Sequence, residues 1–289
     1  MSTQTIFNLK EEWDLIIRPQ RPWWDLRLGE LWLYRDLIGL WVRREFVAFY
    51  KQMVLGPLWH VIPAIVSSIV YTIVFSQIAN ISTDGAPPYL FYMAGITIWA
   101  FFSGCLSTTA NTFTVNAGIF GKIYFPRIIM PIASVISQTV GFGVRFGVFL
   151  VFWLLSLLSP ESQIHPNPWV FLFPLLILIV AGLGMGLGII ISALTTKYRD
   201  FQQLLGVAIP LVMYATPILY PLSSVPETWR WIFLINPLMP VFETFRFAFL
   251  GTQAPELIYL LYSAGFMLIV LSIGVIVFNK AESNFLDTV

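Results

Sequence analysis

Six apolar runs, each long enough to cross a hydrocarbon layer of about 30 Å, set the limits on how this chain can fold. They are Leu58–Ile78, Tyr89–Phe113, Ile128–Leu158, Trp169–Leu194, Leu204–Tyr220 and Leu257–Phe278. With 57% hydrophobic and 11% charged residues, a chain of 289 residues has too little polar surface to coat a water-soluble fold. The sequence therefore predicts an all-α membrane protein with six transmembrane helices. Pro63, Pro131, Pro174 and Pro210 lie inside the runs. Kinks are expected there, because neighbouring helices can satisfy the freed backbone groups.

Charge placement orients the spans. Lys10, Arg18, Arg21, Arg27, Arg35, Arg43, Arg44 and Lys51 precede the first run. Lys122 and Arg127 fall between runs two and three, Lys197 and Arg199 between four and five, and Lys280 after six. The alternate loops, 79–88 and 159–168, hold no Lys or Arg. The positive-inside rule then places both termini of a multi-pass membrane protein in the cytoplasm. A net charge of +1 lacks the concentrated basic surface of a nucleic-acid binder. The single cysteine, Cys105, excludes an intrachain disulfide and a thiolate metal cluster, and reads as packing. Charged residues from Lys10 onward precede any apolar stretch, so the start does not read as a cleavable signal peptide.

Two segments do not fit a plain six-helix bundle. Along 31–51, Tyr34, Leu37, Ile38, Trp41, Val42 and Phe49 share one helical side while Arg35, Asp36, Arg43, Arg44 and Lys51 lie mostly opposite, as in an amphipathic interface helix. Glu45 breaks that pattern. The stretch 222–255 is too polar to span and too rich in Trp, Phe and Leu for a free loop. It predicts a re-entrant helical hairpin broken at Asn236-Pro237, whose Glu227, Arg230, Glu243 and Arg246 must find water or each other. The resulting division is a cytoplasmic 1–57 with the interface helix, then a transmembrane domain over 58–289 that ends in a short cytoplasmic tail, 279–289.

Between runs two and three, "NAGIFGKIYFPR" (116–127) nearly spells a phosphate-binding loop. Such a loop needs Gly, four residues, then Gly-Lys-Ser/Thr, so that bare backbone wraps the phosphates and a hydroxyl reaches magnesium. Asn116 replaces the first glycine and Ile123 the hydroxyl. No nucleotide site is expected in this chain.

"YKQMVLGPLWHVIPAI" (50–65), "GIFGKIYFPR" (118–127), "KYRDFQQLL" (197–205) with "TPILYP" (216–221), and "INPLMPVFETFR" (235–246) stand in that order along the topology just derived. Together they resemble the permease subunit of bacterial ATP-binding-cassette polysaccharide exporters, which carry O-antigen, capsule or teichoic-acid chains. The resemblance implies that 116–127 is a coupling turn docking on a separate ATPase that binds ATP and magnesium, leaving no cofactor in this chain. It also implies a homodimer working with two ATPase copies on a lipid-linked glycan. On that reading Gly118 and Gly121 allow close approach, Ile119, Phe120 and Tyr124 offer apolar knobs, and Lys122 and Arg127 fix the turn at the headgroup level. Arg35, Trp41, Arg43 and Arg44 belong to the interface helix.

Ring faces suit carbohydrate, which makes Tyr71, Phe75, Trp99, Tyr214 and Tyr220 candidate pathway residues. Arg145, costly in lipid, is expected to face the bundle interior and pair with carbonyls or a carboxylate; structural and pathway roles both fit. Asn236, Pro237, Glu243 and Arg246 mark the hairpin. A membrane enzyme would cluster His, Asp or Glu at one face, whereas His60 and His165 fall on opposite sides. A lipid or drug exporter permease of the same superfamily is the main alternative, and a non-transporting scaffold a third.

Overall fold

Span two organises the bundle. The computed structural model describes residues 28–51, 53–56, 58–120, 125–160, 164–198 and 200–285. Pro88 opens the 23-residue helix α4 (Pro88–Ala110), placed where a missing N–H costs nothing. It is buried along most of its length between α6 (Ile129–Leu157) and α7 (Phe173–Thr195), the latter led in by a 3₁₀ turn at Pro168–Leu172. Small residues make this closeness possible. A Cβ on Gly184 would lie 2.7 Å from Cys105 Cβ, and one on Gly186 would lie 3.0 Å from Leu271 N of α11 (Leu257–Phe285), so the helices bracketing α7 approach to backbone contact.

Among the described residues, five helical stretches are long and apolar enough to cross a membrane: Leu58–Ile78, Pro88–Ala110, Ile129–Leu157, Pro168–Thr195 and Leu257–Glu282. The first is α3 (Leu58–Tyr71), continued by a π-helical segment, Thr72–Ile78. The fifth apolar run of the sequence differs from expectation. Its helix, α8 (Asp200–Tyr214), has 15 residues and covers only about 22 Å at 1.5 Å per residue. The chain leaves the helix after Tyr214, just ahead of Pro217, which has no N–H to donate, and the carbonyls of Pro217 and Ile218 are taken by Arg246.

The expected hairpin is present. Helices α9 (Glu227–Ile235) and α10 (Met239–Leu250) meet at 99° across the Asn236-Pro237 break. Asn236 Oδ1 accepts from Leu238 N at 3.0 Å, closing an Asx turn. The two halves have opposite fates: α9 buries nothing, whereas α10 is buried at every residue but Phe247. An aromatic cluster holds α10, with Phe146 stacked on Phe173 at 4.3 Å and Phe245 on Phe249 at 4.6 Å. Its last carbonyls accept from Trp153 Nε1 and Asn167 Nδ2, at 2.7 and 2.8 Å. Gly251 caps it at φ +75°, where a Cβ would also strike the His165 carbonyl.

Helices α1 (Leu28–Leu33) and α2 (Arg35–Tyr50) lie at the end of the bundle where the described Lys and Arg residues of the loops collect, called here the basic end. Leu31, Tyr34, Leu37, Ile38 and Trp41 pack inward there, while Arg35, Arg43 and Arg44 are exposed. Arg44 sits 4.3 Å above the Trp41 ring, and the exposed Arg35–Asp36 pair at 4.0 Å adds little. Glu45, the residue out of pattern, accepts from Ser134 Oγ at 3.1 Å.

Candidate functional site

Two regions carry the residues singled out by sequence. The first is a corner at the basic end. Asn111 breaks span two, and α5 (Thr112–Phe120) turns away from it. Phe113 stacks on Phe278 of α11 at 4.6 Å and meets the Phe120 ring at 5.8 Å, and Phe120 meets Phe125 at 5.9 Å. Around these rings gather Ile128, Ile129 and Met130 from span three, Ile189 from span four, and the inward face of the interface helix. A single apolar core thus joins α2, α5, α6, α7 and α11.

Arg127 is 4% exposed, lies 5.1 Å from the Phe120 ring, and donates from Nη1 to the Glu282 carbonyl at 3.2 Å. Burial pulls its pKa below the usual arginine value, and the Glu282 charge opposes that pull. The arginine, expected to fix the turn at the headgroup level, is buried and ties the corner to the last helix. Phe120 is corrected likewise. At 4% exposure it is no outward knob, because its ring is needed to fill the space between Phe113, Phe125 and Arg127. Gly118 is exposed with open space beside it, and Ile119 is half-buried on the same core. Gly121, Lys122 and Tyr124 lie outside the described residues.

The second region is an open flank formed by α3, α8 and α9. In α3 only Ala64 and Ser68 are buried, and α8 and α9 bury no residue. Tyr71 and Phe75 line up at 5.7 Å on α3 and its π-helical continuation, each 6.3 Å from Tyr92; π-helical turns are frequent at functional sites. Tyr220 donates to the Tyr214 carbonyl at 2.8 Å and faces Phe233 at 5.9 Å. Tyr220, Trp229 and Phe233 wall a groove of about 390 Å³ that Ile81 closes from the span-one side.

Residues 36–250 match the family described as ABC-2 type transporter. The chain belongs to that family. Its relatives include the O-antigen export system permease protein RfbA of Klebsiella pneumoniae, 29% identical over 87% of this chain and 94% of the relative. The protein of the same name from Myxococcus xanthus is 26% identical over 90% and 98%. The polysialic acid transport protein KpsM of Escherichia coli is 23% identical over 85% and 93%.

In this ABC-2 transporter chain, Tyr71, Phe75, Tyr214 and Tyr220 gather on the open flank, but Trp99 does not. Trp99 is 7% exposed and packs on Phe102 at 5.4 Å inside span two. Arg145 does face the interior, yet its partner is neither carbonyl nor carboxylate: Nη1 lies 3.2 Å from His60 Nδ1. A guanidinium only donates, so Nδ1 accepts and the histidine proton sits on Nε2. Glu243 and Arg246 lie 3.8 Å apart. Arg246, 1% exposed, also covers the Phe91 ring at 3.5 Å and donates to the Pro217 carbonyl at 2.7 Å and to that of Ile218. Asn236 Nδ2 reaches Thr216 Oγ1 at 2.8 Å, so both marked ends of the hairpin hold the 215–220 segment.

Sequence reading missed Gln202. Its Nε2 donates to Asn111 Oδ1 at 2.8 Å and Thr114 Oγ1 at 2.9 Å, joining α8 to the α4–α5 break. The available signal was a polar "QQ" pair on the first turns of an apolar helix.

Proposed function

We propose that this chain is the membrane-spanning subunit of an ATP-driven exporter that carries a lipid-linked surface polysaccharide across the inner membrane. The observation that carries the reading is the near end-to-end match to relatives named for O-antigen export and polysialic acid transport. The basic end is the cytoplasmic side, with both termini there. ATP is hydrolysed by a separate cassette ATPase, in two copies, that docks on the corner around Gly118 and Ile119. Nothing in this chain hydrolyses nucleotide.

The geometry supports a specific transmission route. A push on α5 is passed to α2, α6, α7 and α11 through the Phe113–Phe120–Phe278 core, and to α8 through Gln202. Helix α8 buries no residue, so it moves at a low packing cost. Nucleotide shifts the transporter between states only to the degree that the docked ATPase prefers one arrangement of this corner.

The open flank of α3 and α8 becomes the wall of a conduit when two copies pair about a two-fold axis. Tyr71, Phe75, Tyr214 and Tyr220, with Trp229 and Phe233 of the groove, then present rings to the passing sugars. Deleting the gene tests the reading. Undecorated cells that accumulate lipid-linked polymer inside, restored by the intact gene, are expected; a normal surface glycan with altered lipid or drug efflux would assign the chain to the other branch of the superfamily.

A further inference from the structure

Helix α9 stands between two hollows. Trp229 and Phe233 line the aromatic groove described above, whereas Arg230 and Leu234, each one residue on and so about 100° around the helix, line a second cavity. That cavity measures about 250 Å³ and opens between α9, α10 and the start of α11, with Glu243 of α10, Gln253 and Glu256 of the link, and Tyr259 of α11 in its wall. It lies opposite the basic end, on the side where Asn167, from a loop without Lys or Arg, holds the last turn of α10.

The wall is polar yet balanced. Glu243, 8% exposed, has Arg246 at 3.8 Å, and Arg230 and Glu256 add one charge of each sign. Such a wall gives a free anion or cation no net attraction, and among the described residues no three His, Cys, Asp or Glu side chains come together as metal ligands. What it offers is mixed hydrogen bonding. A guanidinium only donates, carboxylates only accept, and the Gln253 amide does both. Glu243 Oε1 has no hydrogen-bond partner, since 3.8 Å to Arg246 Nη1 is beyond hydrogen-bond reach. Hydroxyl groups, each one donor and two acceptors, match this wall, while Leu234 and the Tyr259 ring provide the apolar patch that the C–H face of a sugar needs. Size agrees. A hexopyranose packed at an interior density of about 0.75 fills roughly 200 Å³, so the cavity takes one ring and leaves the rest of a chain outside.

We propose that this cavity is a subsite for one neutral pyranose residue at the outer end of the transporter. The assignment rests on the polysaccharide reading for the source of that residue. Arg230 donates to the ring hydroxyls, and Glu243 and Glu256 accept from them. Because the cavity joins α9, which buries nothing, to the buried α10, an occupying sugar favours the arrangement in which α9 lies close to α10 and α11.

The test is saturation-transfer NMR of the full chain in lipid nanodiscs free of glycoside detergent. The neutral probes are the methyl glycosides of glucose, galactose, mannose, rhamnose and N-acetylglucosamine; the acidic probe is that of N-acetylneuraminic acid. At least one neutral glycoside is expected to saturate with a Kd on the order of 1–10 mM. The acidic probe should bind at least threefold more weakly, because its carboxylate gives up water with no net charge to meet it. Glu256→Ala, Arg230→Ala and Gln253→Ala, all at exposed positions, are each expected to lose about threefold or more, and Glu227→Ala, on α9 but outside the cavity, to lose nothing. No saturable binding by any neutral probe, equal binding of the acidic one, or unchanged affinity in all three cavity variants would overturn the proposal. Adding the ATPase separates the two readings. Glycan transfer driven by ATP in a chain that binds no pyranoside removes the subsite alone, whereas pyranoside binding by a chain that transfers no glycan removes the export reading alone.

Discussion

Gln202 Nε2 lies 2.8 Å from Asn111 Oδ1 and 2.9 Å from Thr114 Oγ1, so the first turn of α8 is tied directly to the break between α4 and α5. Two neutral hydrogen bonds contribute a net of about 1–3 kcal/mol. Gln202→Leu is therefore expected to lower transport-linked ATP hydrolysis several-fold while leaving insertion and ATPase copurification intact. Hydrolysis that stays fully coupled in the variant would remove α8 from the transmission route.

Phe120 and Gly118 should separate structure from docking. Phe120→Ala empties part of the core at the basic end and is expected to cost about 3–5 kcal/mol, read as a lower thermal midpoint. Gly118→Trp, on an exposed backbone with open space, should keep the midpoint and lose the ATPase. If Phe120→Ala instead releases the ATPase with unchanged thermal stability, its ring is part of the docking surface after all.

Arg246 and Glu243 form a buried pair on α10. Removing one partner of such a pair costs about 3–5 kcal/mol, whereas replacing both with apolar residues restores much of the loss. Arg246→Met is expected to destabilise strongly, since the Pro217 and Ile218 carbonyls also lose their donor. Arg246→Met with Glu243→Leu should recover part of it. A double variant no more stable than the single one would mean that the carbonyl contacts, and not the pair, dominate.

Hairpin depth is open to chemical labelling. Leu238 is 3% exposed while Ser223 lies on the surface. A cysteine at Ser223 should react with bulky charged reagents from outside intact cells, a cysteine at Leu238 should resist them, and one at Lys280 should be reached only after permeabilisation. Labelling of Lys280→Cys in intact cells would reverse the assigned orientation.

Most of the bundle was legible because lipid imposes length and polarity on every crossing segment. The interface helix and the hairpin break at Asn236-Pro237 followed from amphipathic spacing and from proline chemistry. The end of α8 did not, because the apolar run continues to Tyr220 and the capture of the Pro217 and Ile218 carbonyls by Arg246, which holds the segment out of the helix, is tertiary. Trp99 was misplaced for a related reason: span two is apolar on all sides, so hydropathy gives no hint of which side faces open space. The reversal at Phe120 and Arg127 also lay beyond local pattern. A phenylalanine and an arginine beside a turn look exposed until Phe113, Phe278 and the Glu282 carbonyl are brought together from distant segments.

The central claim is tested most directly in proteoliposomes containing this chain and its cassette ATPase, loaded with a fluorescent lipid-linked oligosaccharide. The measured quantity is ATP-dependent transfer of the glycan to the leaflet opposite the ATPase, scored by protection from an impermeant glycosidase. Transfer is expected with the intact chain and should be lost in Gly118→Trp. Protection that is independent of ATP, or absent with the intact chain while a non-glycosylated lipid is moved, would contradict polysaccharide export.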